Sequence, residues 1–285
     1  MRIPKGLQPL IDDGIIDAVT RPLKSGKEAS VYVVRRGDGV LCAKVYKDSE
    51  QRSFQKRVHY QEGRKTRGSR QARAMNKATK FGREEQEAAW KSTEADALYL
   101  LADAGVRVPT PQGYVHGVLL MELITDSSGH SAPLLGEVEL TADEARSHHA
   151  ALIRDVVRML CLGMIHGDLS EYNVLLAADG PVIIDLPQVV SASGNNAARD
   201  LLLRDVHNIR NSLARFAPDL KTTHFGEEMW SLYQQGKLKP DTILTGQFVF
   251  DETTADVDDV LLTIEDARQE AIIRQQGRDE VAERD

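Results

Sequence analysis

The pattern of apolar and polar positions along this 285-residue chain changes character before its midpoint. Residues 6–20 carry the spacing of a short helix and turn, with Pro9 early and Gly14 late. A β-rich approach, Ile16–Leu23, leads to two runs dense in β-branched and aromatic residues, SVYVVRR (30–36) and VLCAKVY (40–46). Gly37-Asp38-Gly39 lies between them, and glycine accepts the positive φ of tight turns, so the pair predicts an antiparallel hairpin. Residues 47–83 lack apolar periodicity and predict a mobile arm. Helical spacing returns over 84–104 through Ala88, Ala89, Leu98, Leu101 and Ala102, with Gly105 as the stop. VPTPQ (108–112) then breaks the chain before a second hairpin-like pair, GYVHG and VLLMELI.

From Thr141 onward helices dominate. TADE is a capping-box start, and the helix behind it is predicted to reach about Leu162, where Gly163 ends it. Two short strands, NVLLA (173–177) and PVIIDL (181–186), flank the turn Ala178-Asp179-Gly180. Further helices are predicted over 197–216, 225–235 and 255–275. The last presents Val257, Val260, Leu261, Ile264, Ala267, Ala271 and Ile272 at helical spacing, read as a face packing on the larger lobe. A strand-rich part to about residue 124 followed by a helix-rich part predicts an α+β fold. The expected division is an N-terminal lobe over 1–124, a larger helical lobe over 125–250 and an acidic helical tail over 251–285.

Composition adds an asymmetry to this picture. The net charge of −7 conceals a segment, 47–83, with twelve Lys or Arg against three acidic residues, while 251–285 holds twelve acidic residues against four Arg. Such a basic arm suits a polyanion, and an RNA or ribosomal particle is its candidate partner. No apolar run approaches the roughly 20 residues of a membrane span, and the N-terminus lacks a signal-peptide core, so a cytoplasmic protein without membrane contact is expected. Cys42 and Cys161 form no CxxC pair and read as buried free thiols. His148 and His149 have no companion ligands and read as solvent-facing.

The chemistry concentrates in Ile165-His166-Gly167-Asp168-Leu169-Ser170-Glu171-Tyr172-Asn173, followed one hairpin later by Asp185. Phosphoryl transfer from ATP needs positioned charge more than covalent help: a carboxylate to meet the nucleophile and oxygen ligands to hold magnesium against the phosphates. The H-x-D-x4-N loop and a strand-end Asp supply those parts in order. Asp168 would meet the nucleophile, and Asn173 and Asp185 would hold the metal. The competing reading is a surface loop whose Asp and Asn cap turns. His166 reads as a hydrogen-bonding structural residue. Upstream, Lys44 in Ala43-Lys44-Val45 fits a phosphate-neutralising strand lysine, with Glu94 as its helix partner and Glu87 in reserve. The segment Ser25-Gly26-Lys27 precedes the first hairpin strand; it lacks GxGxxG and is no Walker A loop, yet its amides, the Ser25 hydroxyl and Lys27 could cradle phosphate.

KSGKEASVY, CAKVYK, VLLMELI with SAPLLG, IHGDLSEYNVLL and VIIDLPQ together resemble the RIO family of atypical serine/threonine protein kinases, and most of all its first subfamily. AARDLLLRDVHNIRNSL (197–213) resembles the helix that follows the metal-binding Asp there. The resemblance runs collinearly over residues 16–235 and implies a protein-kinase-like two-lobed fold. It also implies an ATP- and magnesium-dependent phosphotransferase (manganese being the other candidate ion) that can phosphorylate itself. Under it, Lys44 binds the ATP phosphates and Glu94 orients it. Met121, Glu122 and Ile124 line the adenine position, Asp168 accepts the proton, and Asn173 and Asp185 bind metal. A phosphoaspartate at Asp185 would accompany an ATPase-like cycle. Asp185-Leu186-Pro187 replaces DFG, and nineteen residues between Asp185 and Asp205 leave no room for an APE-type activation segment. Gly167 stands where many kinases carry Arg, which argues against control by a phosphorylated activation loop. Two other functions compete: a nucleotide-switched ribonucleoprotein assembly factor, and a small-molecule kinase of the aminoglycoside or choline type.

Overall fold

The computed structural model describes residues 3–26, 29–47, 94–186 and 189–250. The predicted tail helix over 255–275, Glu87, Lys27 and most of the basic arm lie outside these residues. The chain divides into two units, 1–246 and 247–285, and the folded elements below belong to the first.

A short helix, α1 (Gln8–Asp12), opens the first unit, followed by three strands, β1 (Ala18–Ser25), β2 (Ala29–Arg36) and β3 (Gly39–Tyr46). Residues 94–103 form the helix α2. The strands β4 (Pro111–Val115) and β5 (Val118–Glu122) complete an antiparallel sheet of order β1-β2-β3-β5-β4. Both hairpins use the turn chemistry their sequences announce. Gly37 takes φ 58°, and the β4–β5 turn places His116 and Gly117 at φ 51° and 76°, the doubly positive geometry whose twist matches antiparallel strands.

Strand alternation sorts the sheet into two faces. Val34, Ala43, Val118 and Leu120 meet Leu7, Leu10 and Ile16 on the α1 side. Cys42, Lys44 and Tyr46 take the opposite parity, and on that face Tyr46 and Leu119 join Ala95, Leu98 and Leu101 of α2 in the main core. Lys44 pairs in register with Leu119, so it points toward α2 and away from α1.

The helical lobe is built on α3 (Ala142–Cys161), α4 (Ala198–Leu213) and α5 (Phe225–Gln234), with short 3₁₀ turns at Leu135–Glu137 and Pro218–Thr222. The capping box at α3 forms as read from TADE: Thr141 Oγ1 accepts from Glu144 N, and Glu144 Oε2 accepts from Thr141 N at 2.8 Å. Between α3 and α4 lie β6 (Met164–Ile165), β7 (Val174–Ala177), β8 (Gly180–Ile183) and β9 (Val190–Ser191). β7 and β8 form a hairpin whose Val174 and Ile183 enter the main core, while Val182 packs with Ile124 and Ala132 in a smaller cluster. The strand read as 181–186 is shorter, Gly180–Ile183; Ile184 N still donates to Asn173 O, the next position of the β7–β8 register, before Asp185 turns the chain away with φ 67°.

Two readings of side-chain placement are corrected. His149 is buried, 2% exposed, with its ring 5.4 Å from that of Phe225. Burial first, and then the charge of Arg210, push its pKa down to about 4. It lies four residues after Ala145 and three before Leu152, on the apolar stripe of α3, so helical period outranks residue type. Cys42 is buried as expected, but Cys161 at the end of α3 is only half-buried.

Candidate active site

The centre of the site is a lysine held between two carboxylates. Lys44 Nζ lies 2.5 Å from Glu94 Oε1 and 3.0 Å from Asp185 Oδ1. Tyr46, two residues along the same face of β3, donates its hydroxyl to Glu94 Oε2 at 2.7 Å. Glu94, 4% exposed, is thus satisfied by two groups from one strand. Burial works against the charge on Lys44, but Glu94 and then Asp185 outweigh it and hold its pKa above the ordinary lysine range. Burial likewise opposes ionisation of Asp185, and Lys44 more than reverses this, keeping that carboxyl below its usual range. The Tyr46 hydroxyl is held well above its ordinary value, by burial and then by the Glu94 charge.

Asp185 follows β8 with φ 67°, a left-handed conformation uncommon outside glycine and one that turns its half-exposed carboxylate toward Lys44. The bond from Ile184 N to Asn173 O, 2.9 Å, ties this turn to the 165–173 loop, so Asn173 and Asp185 are brought side by side by backbone. Asn173 Nδ2 donates to Asp168 O at 2.7 Å, which orients the amide within the loop. His166 has the structural role expected of it. Its Nδ1 accepts from Asp168 N at 3.3 Å, which makes Nε2 the protonated nitrogen, 3.1 Å from Ile184 O.

Of the candidate phosphate segment, Ser25 and Gly26 are described and Lys27 lies outside the described residues. Gly26 N donates to Ala29 O at 2.9 Å, and Ser25 Oγ lies 3.1 Å from Ser30 Oγ. These bonds engage the Gly26 amide and the Ser25 hydroxyl where β1 gives way to β2. Lys47, not singled out from sequence, reaches the same place with Nζ 2.6 Å from Gly26 O and 3.4 Å from Ser25 Oγ. At the connection between the lobes, Glu122 N is spent on Thr110 O at 2.8 Å. The Glu122 carboxylate grips Arg107 at 3.1 and 3.2 Å, and Arg107 also reaches Asp179 on the β7–β8 turn. Met121 ends in β5 as expected, and Ile124 O accepts from Ala132 N at 3.0 Å, which fixes the chain just past β5.

The sequence reading named no site residue on α4, yet this helix holds the 165–173 loop. Asp205 Oδ2 and Oδ1 accept from Gly167 N and Leu169 N at 2.7 and 2.8 Å, Arg204 donates to Gly167 O, and Asn208 Nδ2 donates to Leu169 O at 3.1 Å. The signal was available: three polar side chains within five residues of an otherwise apolar helix face.

The model of the RIO domain matches residues 30–225, a span that contains Lys44, Glu94, Asp168, Asn173, Asp185 and Asp205. The chain belongs to the RIO family. Among its relatives, the RIO-type serine/threonine-protein kinase Rio1 of Haloferax volcanii is 33% identical over 212 residues, covering 74% of this chain and 68% of that protein. The serine/threonine-protein kinases rio1 of Schizosaccharomyces pombe and RIO1 of Homo sapiens are 30% and 29% identical over 73% and 75% of this chain. The chain matches only 41% and 36% of those two proteins' own length. A solved kinase-domain structure aligns with a TM-score of 0.46 and 14% identity, over 76% of this chain and 67% of that one, a likeness too weak to carry an argument. This RIO chain therefore carries an atypical serine/threonine kinase domain, with the ATP use that goes with it. No helix among the described residues is long and apolar enough to cross a membrane.

Proposed function

We propose that this chain transfers the γ-phosphate of ATP, with magnesium, to serine or threonine hydroxyls, its own included. The observation that carries the reading is the buried Glu94–Lys44–Asp185 bridge, because it fixes a cation at the cleft with one carboxylate behind it and one in front. Lys44 would contact the ATP phosphates, Glu94 would orient it, and the Met121–Ile124 connection would take the adenine. Asp168 would accept the proton of the attacking hydroxyl, from a loop whose neighbouring peptide groups at Gly167 and Leu169 are bonded to α4.

Asp185 and the Asn173 Oδ1 would hold magnesium. Among the described residues no cluster of three or more His, Cys, Asp or Glu forms a metal cage. That donor set fits an ion arriving with nucleotide, since magnesium commonly takes one or two protein carboxylates and completes its shell with phosphates and waters. When bound, it would neutralise charge developing on the phosphates.

The test incubates wild type and Asp168→Ala with γ-labelled ATP and magnesium and follows label into protein, free phosphate and a basic protein substrate. Acid-stable label on protein, absent from the variant, is expected. Equal labelling by the two proteins would refute the assignment. Free phosphate alone, through a hydroxylamine-sensitive acyl phosphate, would instead point to an ATPase cycle at Asp185.

A second activity, RNA retention, rests on the charge of residues 47–83, twelve basic against three acidic. Binding that collapses with added salt and with deletion of the arm is the expected result.

A further inference from the structure

β1 is an edge strand of the sheet, and its pairing with β2 is irregular. The register runs Val19↔Val34, then Arg21↔Val33 and Pro22↔Tyr32, then Lys24↔Val31, so it slips once before Arg21 and once before Lys24. Continued regularly from Val19, the strand would set Thr20 opposite Val33 and turn Arg21, opposite Tyr32, to the α1 face. The first slip instead sets Arg21 in a row with Val33, Cys42 and Met121, on the face that carries Lys44. Charge agrees with this parity. Burial raises the Cys42 thiol to about 11, and the nearby Arg21 cation opposes that rise. Asp185, held down against burial mainly by Lys44, also lies within the field of Lys24 from the next row.

Arg21 also reaches beyond the sheet. Its Nη2 donates to Ser131 Oγ at 2.5 Å, a contact between residues 110 apart in sequence. Ser131 belongs to the turn that follows Ile124, and that turn is braced. Ala132 N donates to Ile124 O, Asp126 N donates to His130 O at 2.8 Å, and Asp126 Oδ1 accepts from Ser128 N and His130 N at 2.8 and 3.0 Å. Ile124 and Ala132 pack with Val182 and Leu175 in one apolar cluster, so the base of the turn is fixed to the β7–β8 hairpin. Arg21 thus spans from the sheet to a firm rim, at the open end of the row Val33, Cys42 and Met121 that roofs the proposed adenine position. The contact is exposed, and a solvent-open contact is weak enough to part and remake as a nucleotide passes.

We propose that Arg21 is a nucleotide-binding residue: tethered to Ser131, it caps the purine base at the mouth of the cleft and slows nucleotide release. The proposal rests on the reading of the Met121–Ile124 connection as the adenine position. A guanidinium is planar and weakly hydrated, so it stacks on an aromatic ring, while its aliphatic stem covers apolar surface. The tether to Ser131 holds that plane in place before the base arrives, which lowers the ordering cost of the contact.

The experiment uses the full chain with magnesium and compares wild type, Arg21→Ala, Ser131→Ala and the double variant. Steady-state kinetics give kcat and KM for ATP, rapid filtration gives the release rate of radiolabelled ADP, and competition by inorganic tripolyphosphate reads the phosphate end alone. Arg21→Ala should raise KM for ATP and speed ADP release by about three- to tenfold, with kcat not reduced. Ser131→Ala should move both in the same direction by less, since the stem remains. The double variant should match Arg21→Ala, because the two residues share one contact. Inhibition by tripolyphosphate, which has no base, should be unchanged. Without nucleotide, Tm should match wild type, as these are surface substitutions.

Unchanged KM and ADP release in Arg21→Ala would overturn the proposal, and so would tighter nucleotide binding, the mark of a side chain that obstructs the base. Equal weakening of tripolyphosphate would also overturn it, by making Arg21 a charge that attracts phosphate. Thermal melts with and without magnesium-ADP keep this proposal apart from the reading beneath it. A wild type that gains no Tm from nucleotide would remove the ATP site itself and the cap with it. A wild-type gain that Arg21→Ala leaves undiminished would remove the cap alone.

Discussion

Replacing Lys44 with methionine tests whether the lysine serves charge alone, as its strand position suggested, or also holds the lobe together. The substitution keeps most of the aliphatic volume and removes the cation. Glu94 is then left buried with the Tyr46 hydroxyl as its recorded partner. Removing one member of a buried ion pair costs about 3–5 kcal/mol, chiefly because the remaining charge is stranded away from water. The Asp185 contact adds little to that figure: its side chain is 48% exposed, and pairs open to solvent contribute at most about 1 kcal/mol. For a chain of this size each kcal/mol moves Tm by about 2–4 °C, so Lys44→Met should melt on the order of 10 °C below wild type. Adding Glu94→Gln removes the stranded charge while keeping an acceptor for Tyr46, and the double variant should regain most of the loss. Turnover should be absent from both. Thermal and urea unfolding, with the m-value checked for constancy, read stability, and labelled ATP reads activity. Equal stability of the single and double variants would refute the stranded-charge reasoning, and turnover by either would remove Lys44 from the phosphate site.

Three further outcomes follow from particular contacts. Asp205 has a folded pKa of about 6, above its unfolded value near 4, so its favourable contribution is present below about pH 4 and is lost as pH rises through 6. The stability difference between wild type and Asp205→Asn should therefore change across that window, and a pH-independent difference in urea unfolding would count against it. Arg107→Met removes the two-pronged contact to Glu122 and the link to Asp179, groups at least a third exposed or nearly so, and should cost about 1 kcal/mol. Because Glu122 borders the proposed adenine position, KM for ATP should rise several-fold with kcat little changed; steady-state kinetics check the split. Gly226→Ala would place a Cβ 2.9 Å from Leu203 Cδ2 and 3.5 Å from Val206 Cβ, so the Leu203 side chain must shift within the α4–α5 contact. A loss of about 1–3 kcal/mol in urea unfolding is expected.

Much of this architecture follows from local sequence. The 37–39 and 116–117 turns, the Thr141 capping box and the glycine stop after α3 are short-range effects, determined by which φ values and capping bonds a few neighbouring residues allow. The phosphotransfer motif was legible for the same reason: Asp168, Asn173 and Asp185 fall within eighteen residues and share one loop and one hairpin. Strand parity even placed Lys44 and Tyr46 on a common face.

What only tertiary structure decided involves groups far apart in the chain. Glu94 meets Lys44 across fifty residues because α2 lies on the sheet face that Lys44 and Tyr46 share. The Gly26 amide could not be assigned from sequence because its partner, Ala29 O, was set by the pairing of β1 with β2. Arg204, Asp205 and Asn208 looked like ordinary polar positions on a helix until folding laid α4 beneath the Asp168 loop. Sequence alone specifies which groups can make such contacts. Packing selects which of them do, because burial removes water as the competing partner and leaves each N–H, carbonyl and charge dependent on the protein group beside it.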